Sequence, residues 1–311
     1  MRTFRVGTRG SPLARWQAEW VAARLREAGA EVSLVPVSTQ GDRQQSGPVE
    51  TIGGQGVFTK ELQRALLDEQ IDLAVHSLKD LPTEAVPGLD LAAVPERAPC
   101  GDVLICRAAS SLAELRSGAV IGTGSLRRRS QLWHARRDLQ MADVRGNVDT
   151  RLRKLDDGQY DALVLAEAGL LRLGLQRSVT QVLPKELMLP AVGQGALGIE
   201  IRSADGQVQG LLAPLDDRPT HQAVIAERAM LAALRGGCLA PVGAWARVES
   251  GQLRLSGVVL SGDGSRRIVA EAASDVGAAH DLGRRVADEL LKQGAAELIA
   301  AARVDNAQQR P

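Results

Sequence analysis

"TFRVGTRGSPLARWQAEWVAARLREAG" runs from Thr3 to Gly29 and holds two local signals that set the fold class. Its first six residues have the short apolar character of a strand. Ser11 followed by Pro12 is a helix start, an N-cap with proline at the first helical position. A strand delivered straight into a helix is the unit of an α/β layer. The alternation continues outward through "VSLVPVS", "FTKELQRALLDEQ" and "IDLAVHS", then returns with a new composition in "GAVIGTG", "SLRRRSQLWHARR", "LQMADV", "NVDTRLRKLDDG" and "YDALVLA". Two α/β units with parallel strands are expected.

Past Pro190, the glycine-rich "AVGQGALGIEIR" reads as a crossing that returns the chain to the first unit. Beyond Pro214 the pattern changes to a helix over 218–235, a glycine-flanked loop, three strand-like runs ("VGAWARVE", "QLRLSGVVLS", "RRIVAEAAS") and a helix from about 277. This predicts a small α+β domain with an antiparallel sheet. The expected division is 1–95 with 196–213, then 96–195, then 214–311. The end, "VDNAQQRP", is expected to fray.

Composition bounds the function. The 311 residues are 44% hydrophobic, with no apolar run of membrane-spanning length and no visible signal peptide, so a soluble, cytoplasmic protein is expected. Cys100, Cys106 and Cys238 lack the spacing of a zinc site or a redox pair, which fits a reducing compartment and no metal. A net charge of +1 implies no general attraction to nucleic acid or anionic membrane. One Tyr and two Phe leave few stacking platforms for single strands. Only five of the 38 basic residues are lysine; a GC-rich coding bias produces such a count, so position matters more than number.

The positions are informative. "VGTRGS" (6–11) and "IGTGS" (121–125) each end a strand in Gly-Thr, turn, and offer a serine to cap the next helix. Helix N-termini attract anions, and open α/β sheets bind ligands at the carboxyl ends of their strands, although many such turns hold nothing. "VHSLKDLPTE" (75–84) sets Ser77, Lys79 and Asp80 on a strand-end loop as an acid/base and charge-holding group, with His76 read as packing. "GTGSLRRRSQ" (122–131) puts Arg127 and Arg128 in a first helical turn, against the helix dipole. That conflict suggests bidentate carboxylate or phosphate clamps, with Arg129 directed elsewhere. "DVRGNVDTRLRKL" (143–155) adds Arg145, Asn147 as a helix cap, and Arg151; "AGLLRLGL" adds Arg172. With Arg9, these arginines are expected to face one cleft, suited to a small polycarboxylate. In "ERAMLAALRGGCLAPVG" (227–243), Gly236 and Gly237 are expected to stop a helix and leave Cys238 on an open loop.

Taken together, "TRGSPLARWQA", "GGQGVFTKEL", "VHSLKDLPT", "IGTGSLRRRSQL", "RGNVDTRL", "AGLLRLGL", "PAVGQGALGIE" and "ERAMLAALRGGCLAPVG" resemble the porphobilinogen deaminase (hydroxymethylbilane synthase) family over nearly the whole chain. The resemblance implies two periplasmic-binding-protein-like α/β domains around a cleft, plus the small C-terminal domain. It implies a monomeric transferase that deaminates four porphobilinogen molecules and joins them head to tail on a dipyrromethane cofactor, held through a thioether at Cys238. Asp80 and Lys79 match the catalytic positions, and both also belong to the cofactor's surroundings with Ser125, Arg127, Arg128, Arg145 and Asn147. Arg9, Ser11, Gln17, Ser77, Thr123, Arg145, Arg151 and Arg172 match substrate contacts; Phe58 and Gln194 match lid and cleft positions. Gln55 departs from the lysine that many members carry. The polar, glycine-rich 38–56 is expected to form a mobile lid. The alternative reading is a non-catalytic two-lobed polycarboxylate-binding protein, which leaves Cys238 and Asp80 without work; nucleic-acid binding, resting on Arg127 to Arg129, ranks third.

Overall fold

The computed structural model describes residues 2–38, 59–236 and 240–308. The chain divides into two compact units, Met1–Ala98 with Gly195–His221, and Pro99–Gln194 with Gln222–Pro311. It begins with β1 (Thr3–Thr8), α1 (Pro12–Glu27), β2 (Glu31–Pro36), α2 (Lys60–Leu67), β3 (Leu73–Ser77) and β4 (Leu89–Ala93). The second unit then supplies β5 (Asp102–Cys106), β6 (Val120–Gly122), α3 (Leu126–Ala135), β7 (Gln140–Ala142), α4 (Val148–Asp156), β8 (Ala162–Ala166), α5 (Glu167–Arg172) and β9 (Gln181–Val182). Next come β10 (Leu197–Arg202) and α6 (Gly206–Leu212), back in the first unit, and α7 (Arg218–Ala233). The chain closes with β11 (Val242–Glu249), β12 (Gln252–Leu260), β13 (Arg267–Asp275), α8 (Ala279–Lys292) and α9 (Ala295–Gln308).

The first sheet has the order β2-β1-β3-β10-β4. β1 runs parallel to β2 and β3, while β10 is antiparallel to both of its neighbours. The α/β sheet of the second unit has the order β7-β6-β8-β5-β9, with β6 parallel to β7 and β8, and β5 antiparallel to β8 and β9. The strands read from the alternation, β1 to β3 and β6 to β8, are parallel as expected, and β5 and β10 make both sheets mixed. Strands joined by a helical crossover come out parallel. β5 and β10 are the first strands after the chain changes unit, so no local crossover fixes their direction.

α1 forms as the sequence predicts. Ser11 Oγ accepts from the backbone N–H of Ala14 at 3.3 Å, and Ala14, Gln17, Ala18, Val21, Ala22 and Leu25 make one buried stripe at helical spacing. Ala18, Val21 and Leu25 pack on Phe4, Val6, Leu73 and Ile199. Gln17 is the polar member of that stripe, 2% exposed, and it lies toward the carboxyl end of β1.

Asp72, just before β3, ties the first unit together. Arg5 donates its backbone N–H, Nε and Nη2 to Asp72 at 2.9, 3.0 and 2.9 Å, Arg2 adds 2.8 Å and Arg202 adds 3.2 Å. Burial works to raise the Asp72 pKa, but the bonds from Arg5 and Arg2 outweigh it and hold the carboxyl well below its usual range. A carboxyl whose folded-state pKa is depressed stabilises the fold above its unfolded pKa of about 4 and loses that contribution as pH falls through the folded value. Thermal melts from pH 5 down to pH 2 should therefore show a progressive fall, and Asp72→Asn should cost roughly 2–3 kcal/mol at pH 7 and flatten that fall. A melting curve unchanged by the substitution would contradict this role.

In the second unit, strand residues alternate between two apolar clusters. Leu104, Ile121, Ala162 and Val164 lie in one, and Val103, Ile105, Leu163 and Leu165 in the other, as a sheet covered on both faces requires. The same unit holds the antiparallel meander β11-β12-β13, whose Ala244, Leu253, Leu255 and Val259 pack with Met230, Leu282, Val286 and Leu290. A Cβ on Gly283 would lie 2.3 Å from Ala226 O, so α7 and α8 approach more closely than any larger residue permits. The β12–β13 turn docks on α3, where Ser130 Oγ donates to Gly262 O at 3.1 Å and His134 Nδ1 lies 3.0 Å from Gly264 O.

Candidate active site

The first unit gathers most of its sequence-marked residues around one cavity. β1 ends at Thr8, whose Oγ1 donates to Ala14 O at 3.0 Å, fixing the turn that carries Arg9 and Ser11. β3 ends at Ser77 and passes into a single 3₁₀ turn, Leu78–Asp80, secured by Leu78 N–H on Ala196 O at 3.0 Å. Arg9, Ser11, Gln17, Ser77 and Asp80, with His76 and Thr59, line a cavity of about 60 Å³ at these two strand ends. Gln17 and Ser77 bond across it, Nε2 donating to Oγ at 2.9 Å. Lys79 shares the turn with Asp80, and both are half-buried. A guanidinium, two hydroxyls and an amide beside a carboxylate suit a small ligand with both anionic and cationic character. Phe58 and the expected lid over 38–56, Gln55 included, lie outside the described residues except for Ser38.

His76 is more than packing. Its Nε2 lies 2.8 Å from Glu200 Oε2 on β10, and both side chains are buried.

The second unit builds a buried charge cluster around a residue that the sequence reading passed over. Asp102, the first residue of β5, is 0% exposed. Arg128 places Nε and Nη2 at 2.8 and 2.7 Å from its Oδ1, Arg127 places Nη1 at 2.8 Å from Oδ2, and Gln194 donates to Oδ1 at 3.1 Å. Arg127 also donates to Leu189 O at 2.5 Å and Arg128 to Val164 O at 2.9 Å. Burial acts to raise the Asp102 pKa, yet Arg127 and Arg128 hold it far below the usual carboxylate range; burial pulls Arg127 down. The conflict of these arginines with the α3 dipole is thus resolved inside the protein, and the carboxylate they grip in the structure is the chain's own. Two guanidiniums on one carboxylate leave a surplus positive charge. Arg127 Nε is buried without a hydrogen-bond partner among the described residues. Such a set fits a further carboxylate, as an acid-bearing cofactor would supply.

The remaining residues are placed individually. Ser125 and Asn147 stand at the N-cap positions of α3 and α4, but neither side chain makes a capping bond, which corrects the expectation of serine and asparagine caps. Ser125 instead donates its backbone N–H to Thr123 Oγ1 at 3.3 Å, and Thr123 is buried. Arg145 is half-buried ahead of α4, and Arg151 Nε donates to Gly146 O at 2.8 Å. Arg172 closes α5 at 9% exposure, and burial pulls its pKa down to about 10. Arg129 turns to Asp143.

Cys238 lies outside the described residues. The helix before it ends differently from expectation: Arg235, not a glycine, takes the left-handed conformation, at φ 50°. Arg235 N–H bonds Ala232 O at 2.9 Å and Gly236 N–H bonds Leu231 O at 3.1 Å, the paired bonds of a Schellman end. Arg303 of α9 donates to Arg235 O.

Asp102 had one legible signal, a lone acid opening the apolar run "DVLIC" while two arginines sat against a helix dipole elsewhere. Glu200 and Glu227 carried less. Glu227 is fully buried and accepts from Gly193 and Ala246 N–H at 2.7 and 2.8 Å, joining the 190–195 crossing to β11.

A family model described as "Porphobilinogen deaminase, dipyromethane cofactor binding domain" matches residues 4–210, and one described as "Porphobilinogen deaminase, C-terminal domain" matches 221–292. A curated protein of Pelotomaculum thermopropionicum named porphobilinogen deaminase is 49% identical over 97% of this chain and 97% of its own length. One of Desulforudis audaxviator with the same name is 51% identical over 96% and 97%. Among solved structures, the periplasmic aliphatic sulphonate-binding protein SsuA of Escherichia coli is similar at 17% identity and a TM-score of 0.37, over 76% of this chain and 71% of its own.

Proposed function

The chain belongs to the porphobilinogen deaminase family, and from that premise we propose how its residues carry out the reaction. It is a transferase that deaminates four porphobilinogen molecules and joins them head to tail, releasing hydroxymethylbilane. The observation that carries the residue assignment is the cavity at the ends of β1 and β3, where Arg9, Ser11, Gln17, Ser77 and Asp80 meet.

Each porphobilinogen brings an acetate and a propionate, which need counter-charge and hydrogen bonds to leave water. Arg9, Ser11, Gln17 and Ser77 receive these groups in the first unit, with Thr123, Arg145, Arg151 and Arg172 serving the same purpose in the second. Asp80 faces the carbon from which ammonia departs. Its carboxylate stabilises the positive charge that spreads into the pyrrole and takes part in the proton transfers, with Lys79 beside it. A dipyrromethane bound at Cys238 supplies the primer to which the first porphobilinogen is joined. By the family resemblance, Lys79 and Asp80 of the first unit and Ser125, Arg127, Arg128, Arg145 and Asn147 of the second are the residues that would hold that group, and the surplus charge and the Nε of Arg127, without a hydrogen-bond partner among the described residues, suit its carboxylates. Gln194 serves through Asp102, holding the arginines in place.

Among the described residues no helix is long and apolar enough to cross a membrane; cytoplasmic location, a monomeric state and action without nucleic acid are proposed with the function. The direct test is incubation with porphobilinogen alone. The proposal predicts four ammonia released per linear tetrapyrrole. Binding without ammonia release would instead support a two-lobed polycarboxylate-binding protein.

Arg172→Leu separates the arginines by stage. The primer should form normally, elongation should slow by about tenfold or more on loss of a charge-assisted bond, and native mass spectrometry should show partly elongated enzyme. A change confined to KM would show that Arg172 does not act on the lengthening chain.

A further inference from the structure

Within the second unit, the Leu189–Pro190 peptide is held from two sides. Leu189 is 5% exposed, and a buried N–H and C=O must both be paired. Gln131 of α3, 1% exposed, pairs them together: its Oε1 accepts from Leu189 N–H at 2.8 Å and its Nε2 donates to Leu189 O at 3.0 Å. The amide does here what a neighbouring strand would do. Leu189 O also takes Arg127 Nη1 at 2.5 Å, the same nitrogen that lies 2.8 Å from Asp102 Oδ2. Two anchors therefore orient the planar fork of Arg127, and Gln131 holds one of them.

The other side of this peptide meets β11. Pro190 O accepts from Ala244 N–H at 2.9 Å. A Cβ on Gly243 would lie 2.9 Å from Leu189 O and 3.0 Å from Leu189 Cβ, so the Gly243 backbone rests on the carbonyl that Arg127 and Gln131 share. β11 begins at Val242, four positions after Cys238, and Leu260 N–H on Pro241 O at 3.1 Å fixes where it starts. We propose, on the reading that puts the primer at Cys238 and its acid groups at Arg127, that Gln131 is a positioning residue for that primer. It fixes the peptide on which both the Arg127 guanidinium and the strand leaving the Cys238 loop are seated, and so keeps the attachment point and a receiving charge in one register. That register governs loading of the primer and the bond-making step; recognition of free porphobilinogen stays with Arg9, Ser11, Gln17 and Ser77.

The test follows primer loading by intact mass, in protein produced without porphobilinogen and then mixed with it. Gln131→Met keeps the length of the side chain but offers Leu189 neither an amide donor nor an oxygen acceptor. Gly243→Ala presses on the same peptide from the opposite side. Each folded variant should gain the mass of two linked pyrrole units about tenfold more slowly than the wild type, or worse. Once loaded, each should turn over with kcat lowered by about tenfold and KM within about twofold of the wild type. The double variant should load no more slowly than the slower single one, because both changes act on one peptide. If Gln131→Met fails to fold, Gln131→Glu takes its place with the same slow loading expected, since it keeps the acceptor for Leu189 N–H and loses only the donor to Leu189 O. A folded Gln131 variant that loads at the wild-type rate would overturn the proposal, as would kcat and KM impaired alike, or defects that multiply in the double variant. A wild type that gains no mass from porphobilinogen would refute the functional reading itself.

Discussion

Asp80→Asn should fold, carry its cofactor and turn over about a thousandfold more slowly than the wild type. Asparagine keeps the shape and an acceptor oxygen while removing the charge. Asp80 is half-buried on a short 3₁₀ turn, held through Leu78 rather than through its own carboxylate, so the loss falls on chemistry and not on folding. A carboxylate about 4 Å from a developing cation, at an effective dielectric near 20, is worth on the order of 4 kcal/mol, which is roughly a thousandfold in rate. KM should change little, since the substrate's acid groups are received by Arg9, Ser11, Gln17 and Ser77. Steady-state kinetics with intact-mass control checks this; turnover within a factor of ten of the wild type would remove Asp80 from the catalytic role.

Cys238→Ser should be the most damaging substitution of all. A serine hydroxyl cannot replace the thiolate as a nucleophile near neutral pH, so no thioether should form and bilane synthesis should fall below detection. The rest of the second unit does not depend on the thiol: the meander and its three helices close a core of their own around Met230, Leu255 and Val286. The variant should therefore purify as a folded protein, and circular dichroism with a turnover assay would show folded, inactive material. Activity retained in the variant would place the attachment elsewhere.

Much of this was legible in the chain, and what was not has a common cause. Ser11 and Pro12 announced α1 because capping is a local act between neighbours, and the repeated strand–helix alternation announced two α/β units for the same reason. The direction of β5 and β10 was hidden, since each enters its sheet after a change of unit and no neighbouring segment dictates it. The end of α7 was misread because glycine is only the commonest left-handed residue, and Arg235 occupies that conformation with its carbonyl held by Arg303. At the site, the residues brought together by strand ends were found from motifs. Asp102 and Glu200 were missed because each meets its partners across a fold: Asp102 lies 26 positions from Arg128 and 92 from Gln194, and Glu200 lies 137 from Gln63. Both sit inside or at the end of strands whose apolar pattern gives no sign of what their carboxylates will face. The arginine pair shows the converse. Its conflict with a helix dipole marked it as unusual, and the structure shows an internal counter-ion that the sequence did not assign.

A bilane-forming transferase primed by a covalent dipyrromethane must carry the mass of its primer, and the intact mass of the purified active protein shows whether it does. That mass should exceed the mass of the 311-residue chain by two linked pyrrole units, with the increment on the peptide containing Cys238. Active protein with the unmodified mass of its sequence would contradict it.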